Sequence, residues 1–215
     1  MSRGDSVDEK PERKSAVATR RGDDGTTGLL FGGERIWKDD ARAEAFGDVD
    51  EAVAALGLAR AELSLRTQYG ALPSNLAQLS EMILRLQREL FVVGADLATA
   101  PGSRDRQKPG ETRVTAEMVA GLDSSLSQAE SAVVMPREFV VPGESRLSAA
   151  LEMARTIVRR AERRAVAFRR AEPVEGDHLI PYLNRLADLL WVLARAAEQA
   201  EARTSVPSRS DSRRD

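Results

Sequence analysis

Apolar residues recur every three or four positions in five segments of this chain, with polar residues between them. This spacing places the apolar side chains on one side of an α-helix, because a helix turns once in about 3.6 residues. The five apolar stripes cover residues 46–63, 76–97, 115–133, 151–168 and 179–197. No segment shows the two-residue alternation of a half-buried strand. The pattern therefore predicts an all-α fold, a single domain in which five helices pack as an antiparallel bundle.

Residues that favour helix starts precede several of these stripes. Asp39 or Asp40 stands before the first stripe, and Ser74 or Asn75 stands before the second. The short polar side chains of these residues accept hydrogen bonds from the free backbone N–H groups of a first helical turn. Pro181 falls in the first turn of the fifth helix, where proline is tolerated. These residues support the helix assignments.

Three stretches lack an apolar stripe. Residues 1–18 and 204–215 are polar and charged, and we expect them to be a disordered leader and a disordered tail on either side of a folded region, residues 19–203. Residues 99–112 are rich in glycine, proline and charge. This third stretch predicts a mobile loop between the second and third helices.

Composition excludes several classes of protein. The 215 residues include 32 Lys or Arg and 34 Asp or Glu, so the chain lacks the basic excess of a nucleic-acid coat. It has no cysteine and a single histidine, His178. This composition excludes thiolate metal sites, cysteine nucleophiles and most Ser–His–Asp catalytic triads. No apolar run approaches the roughly 20 residues of a membrane span, and the first residues lack the apolar core of a secretory signal. We therefore expect a cytoplasmic protein that binds neither nucleic acid nor membrane.

The fourth stripe carries a high density of positive charge. Residues 154–170 read ARTIVRRAERRAVAFRR and contain seven arginines. On a helical wheel, one flank of the narrow, alanine-rich apolar arc holds Arg155, Arg159, Glu162 and Arg163. Arg160 and Arg164 fall on the other side. The charges are therefore grouped and border the predicted core.

This helix has two interpretations. A charged flank is usually solvated, and Glu162 would then simply pair with its arginine neighbours. Partly buried arginines instead need anions, either carboxylates or phosphates. Carboxylates are available beside the first and fifth stripes, at Asp50, Glu51 and Asp188. The helix alone favours the solvated face.

A glycine-rich segment precedes the bundle. Residues 19–38, TRRGDDGTTGLLFGGERIWK, contain five glycines, three threonines and four basic residues. Exposed backbone N–H groups, hydroxyls and positive charge are the materials of a phosphate-binding loop. The segment does not match the Walker pattern or the dinucleotide fingerprint, since no Gly-Lys-Ser/Thr ends it and no strand precedes it. The alternative is a flexible leader with turns, and the density of these residue types favours the phosphate loop.

Four blocks of the chain, in order, resemble a known family. The segment from TRRGDDGTTGLLFGGERIWK to AVAALGLA is similar to the N-terminal signature of the ATP:cob(I)alamin adenosyltransferases of the propanediol-utilisation type. The later blocks are FVVPGES (139–145), ARTIVRRAERR (154–164) and YLNRLADLLWVLAR (182–195). The resemblance extends from Thr19 to Arg195. It implies an enzyme that transfers the 5′-deoxyadenosyl group of ATP to cob(I)alamin, giving adenosylcobalamin and triphosphate.

The resemblance also implies an assembly and a nucleotide site. The expected assembly is a homotrimer of ferritin-like five-helix bundles, with ATP between the N-terminal loop of one subunit and the arginine helix of the next. The implied ATP-binding residues of the loop are Thr19, Arg20, Arg21, Gly22, Thr27, Gly28 and Lys38. The implied ATP-binding residues of the helices are Arg159, Arg160, Glu162, Arg163 and Asn184. Asp50 and Arg155 would form a salt bridge between subunits.

The implied corrinoid site centres on Phe139, which would sit under the corrin ring in place of the lower axial ligand of cobalt. Cob(I)alamin is itself the nucleophile, so the protein is expected to position the reactants and stabilise the leaving triphosphate. The resemblance assigns catalytic roles to Arg159, Phe139 and Asn184. Mg²⁺ would be held mainly through the ATP phosphates, with no metal site of the protein's own.

Two departures from the family pattern concern the implied site directly. Arg21 stands where the family commonly has a small residue, and Glu144 replaces the second glycine of a Gly-Gly pair. Both departures support an alternative, a non-catalytic helical scaffold or a nucleotide- or corrinoid-sensing partner protein of the same fold. The expected partners of an active enzyme are a cob(II)alamin reductase and an adenosylcobalamin-dependent enzyme. We expect Arg164, Arg169 and Arg170, which the implied site leaves unused, to be solvated charge.

Overall fold

The computed structural model describes residues 17–70, 76, 78–174 and 177–209. Five α-helices dominate this part of the chain: α1 Ala41–Gln68, α2 Leu79–Ala98, α3 Ala116–Ser131, α4 Arg146–Ala171 and α5 Leu179–Ala200. Four two-residue strands form two antiparallel pairs, β1 Thr26–Thr27 with β2 Ile36–Trp37, and β3 Val140–Val141 with β4 Val206–Pro207. The prediction of an all-α fold with five helices is confirmed.

The helices pack in the order α2, α1, α4, α5, α3. The pairs α1–α2, α1–α4 and α4–α5 are antiparallel, as predicted. Helices α3 and α5 run parallel instead. Asp123 of α3 pairs with Arg185 near the start of α5, and Val134, just after α3, bonds to Gln199 near the end of α5.

The core consists of the predicted apolar stripes. Helix α4 contributes three fully buried alanines, Ala154, Ala161 and Ala165. Their small side chains let the neighbouring helices α1 and α5 approach closely. Helix α3 buries a single residue, Leu122, so it packs on the bundle by a narrow face.

The starts of α1 and α5 agree with the sequence, whereas α2 begins later than predicted, after Gln78. Asp40 caps α1, and its side chain accepts a hydrogen bond from the backbone N–H of Arg42. Pro181 lies in the first turn of α5. Ser74 and Asn75 lie outside the described residues, and α2 begins at Leu79.

Two segments are more structured than their composition suggests. Residues 99–112 contain a 3₁₀ helix, Pro101–Arg106, and the Gln107 side chain donates to the Thr99 hydroxyl and to the Thr112 carbonyl. Residues 204–209 of the expected tail include strand β4. Hydrogen bonds order both segments: these two of Gln107 stay within its own segment, and β4 pairs with β3 in a distant part of the chain. Residues 1–16 and 210–215 lie outside the described part.

Candidate functional site

The arginines of α4 leave the helix on two sides, as the helical wheel predicted. On the side that faces α1, Arg160 donates from Nε to Asp48 Oδ1 at 3.0 Å and also pairs with Glu51. Arg164 lies on the same side and pairs with Asp48 and Glu44. The expectation that Arg164 is only solvated charge is wrong, since carboxylates of α1 neutralise it.

On the other side of α4, Arg155 and Arg159 line an open cavity of about 560 Å³ between α4, α5 and the segment that leads into β3. Phe139 lines the same cavity, as do Asp188 and Trp191 of α5. The fold therefore brings together three of the predicted site residues, which lie in two separate blocks of the sequence. The cavity combines aromatic surface with two arginines and three carboxylates, Glu130, Glu152 and Asp188.

Phe139 displays most of its side chain, with 85% of its surface exposed. Val140 and Pro142 line the cavity beside it, so this edge of the cavity is apolar. Covering such apolar surface with a ligand or another protein lowers the free energy, because water is released from it. The exposure of Phe139 therefore fits contact with a large apolar ligand.

Two guanidinium groups on this flank of α4 remain available to an anion. Among the described residues, Arg159 has no carboxylate partner, and Arg163 donates only to the Arg159 carbonyl, at 2.9 Å. Glu162 accepts a hydrogen bond from Asn184 Nδ2 at 3.2 Å, and Asn184 Oδ1 in turn accepts from Arg185. Glu162 therefore bonds to α5, and the pairing with neighbouring arginines that a solvated flank would require is not formed. Guanidinia without carboxylate partners are suited to phosphate oxygens.

Asp50 and Arg155 lie on different surfaces of the chain. Arg155 pairs with Glu152 of its own helix at 2.6 Å. Asp50 is exposed in an apolar groove between α1 and α2, together with Leu30 and Phe91. In the described part of one chain these two residues are not paired, so the expected salt bridge requires a second copy.

The N-terminal loop is folded on itself by two of its basic residues. Arg35 donates from Nε to the Thr26 hydroxyl at 2.7 Å and from Nη2 to the Arg21 carbonyl at 2.8 Å. Lys38 donates from Nζ to the Gly22 carbonyl at 2.7 Å. A side chain at Gly22 would place its Cβ 3.1 Å from both Lys38 Nζ and the Thr26 carbonyl oxygen, so Lys38 or the loop backbone would have to shift to admit it. The sequence identified Lys38 and missed the role of Arg35.

The same loop is attached to the carboxyl end of α2. The Leu30 backbone N–H donates to the Ala98 carbonyl at 2.8 Å, and the Ala100 N–H donates to the Leu30 carbonyl at 3.3 Å. Arg106 stacks on the ring of Phe31 and donates to its carbonyl. Of the seven predicted loop residues, five are exposed, namely Thr19, Arg20, Arg21, Gly28 and Lys38, and two are half-buried, Gly22 and Thr27. The loop is therefore a fixed structure with an exposed polar surface.

Two buried ion clusters were not predicted from the sequence. Arg169 is buried and pairs with Asp96 at 2.9 Å and with Asp177 at 2.7 Å, so the expectation that it is solvated is wrong. Arg195 is fully buried and pairs with Glu152 at 3.2 Å and with Glu198 at 2.8 Å. The Glu198 contact has a local signal, an arginine followed by a glutamate three residues later. Arg170 is exposed, as expected.

Two further features bear on the chemistry of the described part of the chain. No group of three or more His, Asp or Glu side chains there could hold a metal ion. None of its helices has the length and apolar character to span a bilayer.

Comparison with known proteins supplies the chemical context. A model of the cobalamin adenosyltransferase family matches residues 17–197. The corrinoid adenosyltransferase of Mycobacterium tuberculosis (strain ATCC 25618 / H37Rv) is 40% identical over 183 residues, covering 84% of this chain and 88% of that protein. The corrinoid adenosyltransferase of Bacillus subtilis (strain 168) is 37% identical over 177 residues, covering 82% and 83%.

Solved structures show the same likeness. A variant of the PduO-type ATP:corrinoid adenosyltransferase from Lactobacillus reuteri, complexed with cobalamin and ATP, matches with a TM-score of 0.75 at 29% identity. The match covers 89% of this chain and 98% of that one. Another variant from the same organism, complexed with ATP, gives a TM-score of 0.74 at 29% identity, covering 90% and 100%.

Proposed function

The chain belongs to the cobalamin adenosyltransferase family, and from this premise we propose how its residues perform the reaction. The enzyme transfers the 5′-deoxyadenosyl group of ATP to cob(I)alamin, giving adenosylcobalamin and triphosphate. The observation that carries the proposal is the cavity wall where the exposed ring of Phe139 lies with Arg155 and Arg159. This wall offers aromatic surface to a macrocycle and guanidinium donors to phosphates.

The reaction needs little covalent chemistry from the protein. An electron pair of Co(I) forms the bond to C5′ of ATP, the C5′–O bond breaks, and its electron pair leaves on the triphosphate. Cobalt rises formally from Co(I) to Co(III), and no other oxidant or nucleophile takes part. The protein therefore has to align cobalt, carbon and oxygen and stabilise the leaving anion. Arg159 and Arg163 are suited to that anion, because their donors are not occupied by carboxylates.

We assign ATP contacts to both the N-terminal loop and the helices. The loop contacts are Thr19, Arg20, Arg21, Gly22, Thr27, Gly28 and Lys38. The helix contacts are Arg159, Arg160, Glu162, Arg163 and Asn184. In this proposal Arg160 contacts ATP while Asp48 and Glu51 of α1 hold its guanidinium in place. Asn184 is fixed between Glu162 and Arg185, which supports a positioning role near the reacting atoms.

The complete site forms between two subunits in this proposal. The loop residue Leu30 and Asp50 line the same groove, whereas Arg155 lines the Phe139 cavity. An ion pair between Asp50 of one subunit and Arg155 of the next would bring a loop to each cavity. Repeating the contact around a threefold axis closes a homotrimer.

The remaining assignments concern the corrinoid, the metal ion and the partners. Phe139 is placed under the corrin ring, where an apolar side chain replaces the lower ligand of cobalt. Mg²⁺ is placed on the ATP phosphates, where it neutralises charge, since the described residues offer no carboxylate cluster of their own. The proposed partners are a cob(II)alamin reductase and an enzyme that uses adenosylcobalamin. The cytoplasm is the proposed compartment, because ATP is available there.

An anaerobic assay tests the function. The full chain is incubated with ATP, Mg²⁺ and chemically reduced cobalamin, and the product is followed by absorbance before and after illumination. We expect a light-sensitive cobalt–carbon product together with one triphosphate per turnover. Absence of that product under full reduction would overturn the enzyme and favour the scaffold or sensing protein.

A further inference from the structure

The segment 204–209, here called the C-terminal strap, lies against the peptide that carries Phe139. Strand β4 of the strap pairs with β3, which directly follows Phe139. The Ser208 backbone N–H donates to the Phe139 carbonyl at 2.7 Å. Because the Phe139 side chain is 85% exposed, little packing holds the ring itself. The position of the ring is therefore set largely through its backbone, and the strap holds that backbone.

The strap is attached to the bundle by a buried carboxylate. Ser205 donates from Oγ to Glu198 Oε2, and Glu198 is fully buried in α5. The other oxygen of the same carboxylate, Oε1, accepts from Arg195 Nη2 at 2.8 Å. One carboxylate thus connects the strap with the interior of the bundle.

The connection continues to the cavity wall. Arg195 Nη2 also lies 3.2 Å from Glu152 Oε1, and the second oxygen of Glu152 accepts from Arg155 Nε at 2.6 Å. Arg155 lines the cavity that holds Phe139. A buried ion chain therefore runs from Ser205 through Glu198, Arg195 and Glu152 to Arg155. The strap and the arginine side of the cavity share this chain.

Two properties make the whole ion chain sensitive to the loss of any one of its members. It contains two guanidinia and two carboxylates, so its formal charges balance. Nε and Nη1 of Arg195 are buried without a hydrogen-bond partner in the described part of the chain, so Glu152 and Glu198 are its only ion-pair partners there, with the Trp191 ring 5.8 Å from the guanidinium carbon. In a low-dielectric interior a change at one charged group is felt strongly by its neighbours.

We propose that Ser205, Glu198 and Arg195 are positioning residues of the adenosyl transfer. They fasten the C-terminal strap, which holds Phe139 at the cavity, and through Glu152 they set Arg155. None of the three is assigned a contact with substrate. The inference rests on the proposed role of Phe139 and adds residues that lie outside every ligand contact assigned above.

The test removes the one hydroxyl that links strap and bundle. Ser205→Ala is compared with Thr204→Ala, which removes a neighbouring exposed hydroxyl that makes no side-chain hydrogen bond among the described residues. Steady-state rates give KM for cob(I)alamin and for ATP separately. Absorption and electron paramagnetic resonance spectra of bound cob(II)alamin, with ATP present, report whether cobalt keeps its lower ligand.

We expect Ser205→Ala to raise KM for cob(I)alamin about tenfold, as loss of a hydrogen bond to a charged group predicts, with KM for ATP unchanged. The fraction of cob(II)alamin that keeps its lower ligand should rise, while Thr204→Ala matches the unmodified protein in both measurements. Ser205→Thr, which retains the hydroxyl, should restore both. A purely structural bond would lower the melting temperature without changing the cobalt spectrum.

Two results would overturn the inference. One is a Ser205→Ala protein with the kinetics and cobalt spectrum of Thr204→Ala. The other is a Ser205→Thr protein as impaired as Ser205→Ala. Both require an active unmodified enzyme, so failure of the proposed function is recognised separately, by the absence of any product from the unmodified protein.

Discussion

The guanidinium of Arg160 is bonded to the carboxylate of Asp48, with 3.0 Å between Nε and Oδ1, and this pair joins α4 to α1. The preceding residue, Arg159, leaves α4 on the opposite side and lines the cavity with Phe139. Consecutive arginines therefore have different surroundings, a bonded pair between helices and an open cavity. We therefore expect Arg160 to contribute mainly to stability and Arg159 mainly to catalysis.

Replacement of Arg159 by alanine is expected to impair catalysis while leaving the fold intact. Loss of a guanidinium that stabilises the leaving triphosphate should lower kcat/KM by about 100-fold. The melting temperature should not change, since Arg159 has no carboxylate partner among the described residues. Arg170→Ala on the exposed end of the same helix is the control and should keep normal kinetics. Unchanged kinetics in Arg159→Ala would remove this residue from the site.

Arg160→Ala should lose more stability and less activity than Arg159→Ala. Loss of its pairs with Asp48 and Glu51 should lower the free energy of unfolding by about 1 kcal/mol, since these groups are only partly buried. Its kcat/KM for ATP should fall by a smaller factor than in Arg159→Ala, because α1 already holds the Arg160 guanidinium. Denaturant unfolding and steady-state kinetics of the two variants make the comparison. A larger kinetic defect in Arg160→Ala would reverse the assignment of roles.

Phe139→Ala tests whether Phe139 takes the place of the lower ligand of cobalt. The test compares a reaction that starts from cob(II)alamin with one supplied with cob(I)alamin. An apolar residue that excludes the lower ligand makes Co(II) easier to reduce, and ready-made Co(I) does not need that help. The variant should therefore lose more activity in a reaction that starts from cob(II)alamin and a reductant than in one supplied with cob(I)alamin. Its thermal stability should be unchanged, because the ring is 85% exposed. Equal losses in the two reactions would contradict the role of Phe139.

Gly22→Ala tests the closed form of the N-terminal loop. The added Cβ would lie 3.1 Å from Lys38 Nζ and from the Thr26 carbonyl oxygen, so Lys38 or the loop backbone has to move. We expect KM for ATP to rise roughly tenfold, because small displacements of binding groups weaken productive alignment. Gly102→Ala has no atom within 4 Å of its new Cβ and should behave normally. Normal ATP kinetics in Gly22→Ala would exclude a closed loop from the nucleotide site.

The buried hydroxyl of Tyr182 predicts a loss of stability at alkaline pH. Tyr182 donates to Glu89 at 2.8 Å, and burial, followed by the charge of Glu89, raises the pKa of the phenol well above its ordinary value. The unfolded chain loses this proton near pH 10 while the folded chain retains it. The contribution of the proton to stability is therefore complete below about pH 10 and is lost as pH rises towards the folded-state pKa.

Tyr182→Phe is the matching measurement. At pH 8 the variant should be less stable by about 1 kcal/mol, because Glu89 loses a donor. Between pH 8 and pH 11 it should lose less stability in denaturant unfolding than the unmodified protein, since it has no phenol to titrate at this position. Equal losses over that range would show that Tyr182 does not contribute to the alkaline transition.

The amino-acid sequence alone determined the helices, the cap at Asp40 and the division of the α4 arginines into two flanks. These features are local, because the apolar period, the capping residue and the angle between side chains on a helix follow from neighbours within a few positions. Four ordered blocks also determined the family. Phe139 and Arg159 were identified by those blocks, although no spacing rule places the two residues beside one cavity.

Only the tertiary structure decided which charges are buried and what pairs with them. Arg169 was expected in solvent, yet it meets Asp96, 73 residues earlier in the chain. Ser205 was assigned to a disordered tail, yet its hydroxyl reaches Glu198 inside the bundle. The sequence of a charged or polar segment specifies its capacity to form hydrogen bonds but not the distance to a partner. Packing of distant helices sets that distance, and with it whether an arginine stabilises the fold or remains free to bind an anion.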